Sequence, residues 1–244
     1  MKTIALGIAQ GLTEFLPVSS SGHLFIIKRL THLSDNLIPF FVLLHLATLL
    51  AIVIFLRRQI VKLLFRKKTF FNLTIITATT AIIGLVIDRF LVNFFESRFF
   101  ISFFLLINAA ILLSLKKTSG KKHHHEIKFK DALSLGLLQG LSVLPGISRS
   151  GITISSLLRK GFAPQEAFTF SFLMAIPAIL GAFFLKAREL TELKIVPINL
   201  LGGFFAAFLS GLLALFIVNK TLKNQKFSFF GYYCILISLV SLLI

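Results

Sequence analysis

A few charged and polar side chains lie inside long apolar stretches of the chain, where such residues are rare. Glu14 lies midway through one apolar run, and Arg149 lies in a polar break of another. A charge at the centre of a membrane helix costs about 2.5–3.5 kcal/mol on insertion scales, so it usually faces a partner, a cavity or a substrate. Hydroxyl residues surround both charges: Ser19, Ser20, Ser21, Ser148, Ser150 and Thr153. These residues are therefore the first candidates for a functional site.

The break around Arg149, PGISRSGIT at 145–153, has the composition of an oxyanion site. We expect Pro145-Gly146 to end one helix and the next helix to begin near Ser148. The first residues of that helix would offer free N–H groups and the positive end of the helix dipole to an anion. Arg149 adds a guanidinium fork that suits phosphate. The residues predicted to bind phosphate are Ser148, Arg149 and Ser150, with Thr153 on the same helix face as Arg149.

The other run combines a carboxylate with a histidine. Gln10 and Glu14 are four residues apart, so both project from one side of a helix that we expect to stop at Pro17. The polar loop Ser19-Ser20-Ser21-Gly22-His23 follows, and we expect it to contact the same anion. His23 is the natural proton carrier near neutral pH. A carboxylate beside a diphosphate suggests a divalent cation, Mg²⁺ or Ca²⁺, with most ligands supplied by the substrate.

The composition indicates a polytopic membrane protein. Hydrophobic residues make up 56% of the 244 residues, and they lie in blocks about as long as a bilayer is thick. The net charge of +17 would suggest nucleic acid for a soluble protein. Here the basic residues lie in short loops between apolar blocks, so a lipid bilayer and not nucleic acid is the expected partner. The single Cys234 excludes an internal disulfide framework.

Eight apolar stretches can be assigned along the chain. Two of them, 3–27 and 132–158, are interrupted by Pro, Gly and Ser. Irregular backbone at membrane depth must be covered by protein or line a cavity. Both are therefore predicted to be re-entrant hairpins, each made of two half-helices joined by a polar tip. The other six are predicted to span the bilayer: 38–56, 70–87, 99–115, 166–185, 197–218 and 227–244.

The basic residues orient these spans. The loops assigned to the cytoplasm contain 17 Lys and Arg residues, and the loops assigned to the outside contain seven. If 132–158 crossed the bilayer, the basic loop 219–226 would fall outside. Charge therefore supports the re-entrant interpretation of 132–158, and that of 3–27 rests on analogy with it.

The two interrupted runs are related by an internal repeat. Gln10-Gly11-Leu12-Thr13 matches Gln139-Gly140-Leu141-Ser142 at an offset of 129 residues. Each half would contain one hairpin and three spans, an odd number, so the halves have opposite topology. We predict an all-α integral membrane protein with an inverted-topology repeat, six transmembrane helices and two re-entrant helical hairpins that meet near the midplane. Its single domain, 1–244, would consist of repeats 1–115 and 132–244 and a solvated basic cytoplasmic linker, 116–131.

The segments QGLTEFLPVSSSGH (10–23) and PGISRSGIT (145–153) together resemble the undecaprenyl-diphosphate phosphatases of the bacitracin-resistance type. The resemblance covers essentially the whole chain. It implies a hydrolase of the bacterial inner membrane that converts undecaprenyl diphosphate into undecaprenyl phosphate and inorganic phosphate, which recycles the lipid carrier for peptidoglycan synthesis. It also implies a divalent-cation requirement and an active site that faces the periplasm. Whether the protein is a monomer or a homodimer stays open.

The resemblance also implies roles for single residues. It places the functional serine and histidine on Ser20 and His23, and Glu14 is expected to bind the cation. Many family members have Glu where this chain has Gln10, so Gln10 is expected to act as polar support. The nucleophile stays open between Ser20 activated by His23, His23 itself and a water molecule. The phosphate-binding residues fall on Ser148, Arg149 and Thr153, and His45 is expected either to support the site or to pack in the core.

Three other interpretations compete with the phosphatase. A buried Glu14–Arg149 ion pair could lock the halves together, and a membrane scaffold would need no site, but neither explains the clustered hydroxyls. A transporter or flippase for an anion or a lipid phosphate would use the same inverted repeat with broken helices. Glu14 and His23 beside Arg149 favour the phosphatase, because simple anion binding does not need an acid, a base and a metal ligand together.

Overall fold

The computed structural model describes residues 2–31, 38–64, 66–95, 97–115, 120–187 and 197–244. Apart from Met1, the residues outside these ranges lie between the predicted apolar stretches, and they include 116–119 of the linker. Within them the regular structure is helical, with short 3₁₀ turns at His124–Glu126 and Phe227–Phe229. The α-helices are α1 (Lys2–Phe15), α2 (Ser20–Thr31), α3 (Ile38–Phe55), α4 (Arg57–Leu64), α5 (Lys67–Phe90), α6 (Val92–Phe95), α7 (Arg98–Leu113), α8 (Phe129–Leu141), α9 (Arg149–Arg159), α10 (Pro164–Lys186), α11 (Pro197–Lys223) and α12 (Phe230–Leu243).

Each of the six predicted spans corresponds to a helix. Three of these helices, α5, α10 and α11, are long and apolar enough to cross a membrane, and α3, α7 and α12 are shorter apolar helices. The outward faces are apolar as well. On α11 a stripe of four side chains is more than half exposed: Phe205, Leu209, Leu213 and Phe216. A stripe of this kind suits contact with lipid chains, which confirms the prediction of an all-α membrane protein at this level.

Both interrupted runs are broken helices. The first run forms α1 and α2, which pack on each other, and the second forms α8 and α9, which do the same. The prediction that Ser19 to His23 form a loop is wrong, because α2 already begins at Ser20. Ser19 has a positive φ of 67° and accepts a hydrogen bond from Gly22 N at 3.3 Å, so this residue caps α2. The second break is longer than predicted, since α8 ends at Leu141, before Pro145.

The linker is docked onto the protein, at least over its described part. Lys122 forms a bridge with Phe162, and Lys160 Nζ lies 2.7 Å from Asp131 Oδ1. His123 and His124 both contact the carboxylate of Glu166 at the start of α10. These contacts attach the linker to α10 and to the turn after α9, while most of its described residues, among them Lys121 and His125, are exposed, as expected of a solvated loop.

Close helix crossings hold the broken helices against the long apolar ones. Helix α1 packs along α11, and α8 packs along α5. Glycines make the first crossing possible: a Cβ atom on Gly11 would meet the carbonyl oxygen of Ala207 and lie 2.8 Å from the backbone nitrogen of Gly211. Small residues commonly permit such backbone approach between membrane helices, where packing provides much of the association energy. The position of Glu14, one turn after Gly11, therefore depends on this crossing.

Gly11→Ala is expected to destabilise the protein by about 1–3 kcal/mol, because the added methyl group overlaps backbone atoms that cannot rotate away. The measurement is the Tm of the detergent-solubilised protein. Gly181→Ala on α10 is the matched control, since a Cβ there meets no atom within 4 Å. Equal Tm values for the two variants would contradict the proposed role of the crossing.

Candidate active site

Glu14 is the centre of a hydrogen-bonded cluster at the point where the two helix breaks meet. Arg149 Nη2 donates to Glu14 Oε1 at 2.6 Å. The other carboxylate oxygen, Oε2, accepts from Ser20 Oγ at 3.0 Å and from Gln10 Nε2 at 3.1 Å. Glu14 is only 9% exposed. The structure thus brings together four residues that the sequence singles out, and the ion pair between the two halves forms.

Gln10 and His45 form the other side of this cluster. The prediction that Gln10 and Glu14 project from the same side of the helix is confirmed by the hydrogen bond from Gln10 to Glu14. His45 Nδ1 lies 2.8 Å from the carbonyl oxygen of Phe41, and since a carbonyl only accepts, Nδ1 carries the hydrogen. His45 Nε2 therefore faces the cluster, 3.3 Å from Gln10 Nε2 and 3.7 Å from Glu14 Oε2. The His45 side chain is 39% exposed, so it belongs to the cluster and not to the closed core.

The two breaks also contact each other directly. Gly146 N donates to Ser21 Oγ at 3.4 Å, and Ser21 in turn shares a 3.1 Å hydrogen bond with Ser19. Gly146 has a φ of +104°, a conformation that glycine adopts without steric cost. Ser19 therefore lies buried beside the second break, where the sequence analysis expected a phosphate contact.

The residues after the second break begin α9 as predicted. Ser148 is the N-cap of α9, and its Oγ accepts from Gly151 N at 3.1 Å. Ser148 and Ser150 hydroxyls lie 3.1 Å apart, and both side chains are buried. The described contacts of these two hydroxyls are with each other and with the first turn of α9, and phosphate binding by both serines stays a prediction.

Thr153 lies apart from the Glu14 cluster. It is fully buried, and its hydroxyl donates to the carbonyl oxygen of Arg149 at 2.7 Å and lies 2.6 Å from Ser171 Oγ. The hydrogen bond to Arg149 holds the first turn of α9. A direct contact between Thr153 and phosphate stays a prediction. In the described structure Thr153 contacts the backbone carbonyl of Arg149.

Asn108 on α7 joins the two breaks, and sequence reasoning missed it. Its Nδ2 donates to the carbonyl oxygen of Pro17 at 2.9 Å, and its Oδ1 accepts from Ser148 N at 3.3 Å. The side chain is fully buried. An amide is well suited to this position because it offers a donor and an acceptor to two backbone groups. The available signal was an asparagine in the middle of an apolar span.

His23 has different hydrogen-bond partners from those of Ser20. Its Nδ1 lies 2.8 Å from the carbonyl oxygen of Ser19, and its Nε2 lies 2.8 Å from the hydroxyl of Tyr233 on α12. Ser20 Oγ instead donates to Glu14. In the described structure, therefore, the acceptor beside Ser20 is the carboxylate and not the imidazole. The choice of nucleophile stays open, and Tyr233 is a second residue that the sequence analysis missed.

The oxygen atoms of the cluster fit a hard divalent cation only in part. Gln10 Oε1 is buried without a hydrogen-bond partner among the described residues, and it lies on the side chain next to Glu14. Mg²⁺ and Ca²⁺ prefer carboxylate, amide and phosphate oxygens. Among the described residues, no group of three His, Cys, Asp or Glu side chains is arranged to hold a metal. The Gln10 hydrogen bond to Glu14 comes from Nε2, so Glu14 is the side chain that could bind a cation here, and the remaining ligands would have to come from a phosphate-bearing substrate.

Comparison with known proteins gives the family. Residues 3–240 match the family described as bacitracin resistance protein BacA. The chain is 43% identical to a Thermosipho africanus protein over 99% of this chain and 98% of that protein, and 40% identical to a Methanococcus vannielii protein over 98% of each. A Carboxydothermus hydrogenoformans protein is 40% identical over 95% of this chain and 92% of its own length. All three are named undecaprenyl-diphosphatase. The resemblance seen in the two motifs thus extends along the whole sequence, and the chain belongs to the BacA bacitracin-resistance family.

Proposed function

We propose that this protein hydrolyses undecaprenyl diphosphate to undecaprenyl phosphate and inorganic phosphate, and so recycles the lipid carrier of cell-wall glycan synthesis. Family membership and the names of the relatives support the reaction. The observation that carries the proposal is the meeting of Glu14, Arg149 and Ser20 at two helix breaks. A guanidinium, a carboxylate and a hydroxyl within hydrogen-bonding distance are the groups that phosphoryl transfer needs.

Arg149 and the start of α9 would hold the terminal phosphate. The guanidinium can bind two phosphoryl oxygens at once, and the first N–H groups of α9 and the Ser148 hydroxyl lie at the positive end of a helix dipole. Ser19 and Ser150 would border the same anion. These donors would stabilise the negative charge that develops on the phosphoryl oxygens during in-line attack at the terminal phosphorus.

Glu14 would accept the proton of the nucleophile. In the resting site its carboxylate already accepts a hydrogen bond from Ser20 Oγ, so it can take the proton of Ser20 or of a water molecule bound in the same place. His23 is the other candidate nucleophile or acid, through Nε2. The phosphorus–oxygen bond to the prenyl phosphate breaks as the new one forms, and the leaving group keeps the bridging oxygen. When water is the nucleophile, this step releases inorganic phosphate directly; when Ser20 or His23 is the nucleophile, a water molecule then hydrolyses the phosphoenzyme to release it.

Glu14 Oε1, which Arg149 leaves when it binds the phosphate, and the substrate oxygens would together hold a Mg²⁺ or Ca²⁺ ion. Such an ion would neutralise the charge of the diphosphate. Gln10 would keep the Glu14 carboxylate oriented, and His45 Nε2 faces the same carboxylate from α3.

The fold supports an inverted repeat of residues 1–115 and 132–244. At the offset of 129 residues, Gly7 and Gly11 of α1 correspond to Gly136 and Gly140 of α8. Both pairs lie at close crossings, the first with α11 and the second with α5, so each broken helix packs against a long helix of the other half. Exchange of partners in this way is the pattern expected for two halves related by a twofold axis. We propose that the α1–α2 and α8–α9 pairs are re-entrant hairpins whose tips meet near the midplane of the inner membrane.

The orientation follows from charge. The described linker residues and the α9–α10 turn carry many of the basic residues and would face the cytoplasm. The family resemblance, and not the charge, is the reason to propose that the Glu14 cluster opens to the periplasm, where the prenyl tail of the substrate would extend between lipid-facing helices. The protein would act as a monomer or a homodimer, and the described contacts place the Glu14 cluster within one chain.

Arg149→Ala is expected to lower kcat/KM by at least about 100-fold, because loss of one oxyanion donor usually costs about 10²–10³ in rate. The measurement is phosphate release from a prenyl diphosphate in detergent. Arg159→Ala is the matched control, since Arg159 lies at the other end of α9 and contacts Ile111 O and Ser114. Equal losses in both variants would indicate damage to α9 and count against the assignment.

Removal of divalent cations with EDTA is expected to abolish phosphate release, and added Mg²⁺ or Ca²⁺ is expected to restore it. Gln10→Glu should lower the cation concentration needed for half-maximal activity, because it adds one unit of negative charge beside the cation. Asp131→Asn, on the linker side of α8, is the control. Full activity in EDTA, or identical cation dependence in all variants, would refute the cation site.

Asn108→Leu is expected to lower kcat by about 10-fold or more, since loss of the amide leaves Pro17 O and Ser148 N without their partner and separates the breaks. Asn72→Leu is the control: Asn72 is equally buried but donates to Ile127 O, away from the breaks. Both variants should lose thermal stability, and only Asn108→Leu should lose turnover per folded molecule. Unchanged turnover in Asn108→Leu would exclude a positioning role.

A further inference from the structure

The imidazole of His23 is held from both sides. Its Nδ1 lies 2.8 Å from the carbonyl oxygen of Ser19, and a carbonyl can only accept, so Nδ1 carries a hydrogen. In the neutral ring Nε2 then has the free lone pair. That lone pair accepts from the hydroxyl of Tyr233, 2.8 Å away. The nitrogen that would attack phosphorus or transfer a proton is therefore occupied in the resting structure.

We propose that Tyr233 is a positioning residue for His23: its hydroxyl holds the imidazole, whose tautomer the Ser19 carbonyl sets, and covers Nε2 until substrate enters. The proposal rests on the function proposed for His23. It adds α12, a helix outside both motifs, to the active site. The reaction then requires the Tyr233 hydroxyl to exchange its hydrogen bond with Nε2 for one with the entering phosphate or a water molecule.

The position of Tyr233 is set by the same contacts that hold the first break. The next residue, Cys234, lies within hydrogen-bonding distance of Asn108 Nδ2 and of the carbonyl oxygen of Pro17. Helix α12 also packs along α7, which carries Asn108. Tyr233 is therefore fixed relative to α2, yet it remains 41% exposed. A fixed but accessible hydroxyl can hold His23 and still be displaced by a substrate.

The contact between His23 and Tyr233 allows a substitution that removes the hydroxyl and keeps the ring. The rings of His23 and Tyr233 are stacked, with centroids 5.6 Å apart and planes 5° from parallel. Tyr233→Phe keeps this stacking and removes only the hydroxyl. Tyr232→Phe is the matched control, because Tyr232 is the adjacent residue, is exposed and has its ring against Phe229. Both variants remove one phenolic hydroxyl from the same turn of α12.

The first measurement is steady-state hydrolysis of a prenyl diphosphate by the full-length protein in detergent. Tyr233→Phe is expected to lower kcat by about 3- to 10-fold, the effect of one hydrogen bond of ordinary net strength, with little change in KM. Tyr232→Phe is expected to retain wild-type kcat. A kcat for Tyr233→Phe equal to that of the control would overturn the proposal.

The second measurement does not depend on turnover. Diethyl pyrocarbonate acylates unprotonated imidazole nitrogens, and with Nδ1 bonded to Ser19 O the reaction at His23 requires a free Nε2. Tyr233→Phe is expected to speed acylation of His23 several-fold relative to the exposed His125, as measured by peptide mass spectrometry, whereas Tyr232→Phe is not. An unchanged ratio would overturn the proposal. The acylation ratio can be measured even in protein that hydrolyses no substrate. It therefore tests the role of Tyr233 separately from the phosphatase assignment.

Discussion

The ion pair between Glu14 and Arg149 is the interaction on which the arrangement of the two halves depends. The two residues are 135 positions apart in sequence and lie at different helix breaks, yet their side chains meet at 2.6 Å. Each charge alone would be costly in an apolar surrounding, and removing one partner of a buried pair typically costs about 3–5 kcal/mol because the other charge is left uncompensated. The breaks therefore have to meet, and the rest of the fold has to bring them together.

Contacts that α1, α7 and the two breaks make with backbone groups bring Glu14 and Arg149 together. The glycines of α1 allow α11 to approach closely, so that α1 directs Gln10 and Glu14 to the same side. Asn108 joins the backbone of one break to that of the other, and Gly146 N donates to Ser21. Backbone groups freed by a helix break need partners when water is absent. Through these hydrogen bonds, backbone groups of each break find their partners at or beside the other break.

The sequence predicted the local parts of the site well. The spacing of Gln10 and Glu14, the start of α9 at Ser148 and the meeting of the two breaks all follow from helix geometry, capping and the cost of buried charge. The prediction of a loop from Ser19 to His23 was wrong. Ser19 adopts a left-handed backbone conformation and caps the next helix, so α2 already begins at Ser20. The sequence could not predict Asn108 or Tyr233 as partners, because their contacts join residues 40 to 210 positions apart and depend on how α7 and α12 pack.

The resting hydrogen bonds also bear on how the proposed reaction would turn over. Arg149 is bonded to Glu14 before substrate arrives, so a phosphate must compete with a carboxylate for the guanidinium. In the proposed reaction a diphosphate would do so, because Glu14 would bind the accompanying cation while the phosphate binds Arg149. Inorganic phosphate, once released from the prenyl chain, loses the affinity that the lipid tail supplied. The Glu14 carboxylate can then form its ion pair with Arg149 again. The ion pair that joins the two halves would in this way favour release of the product.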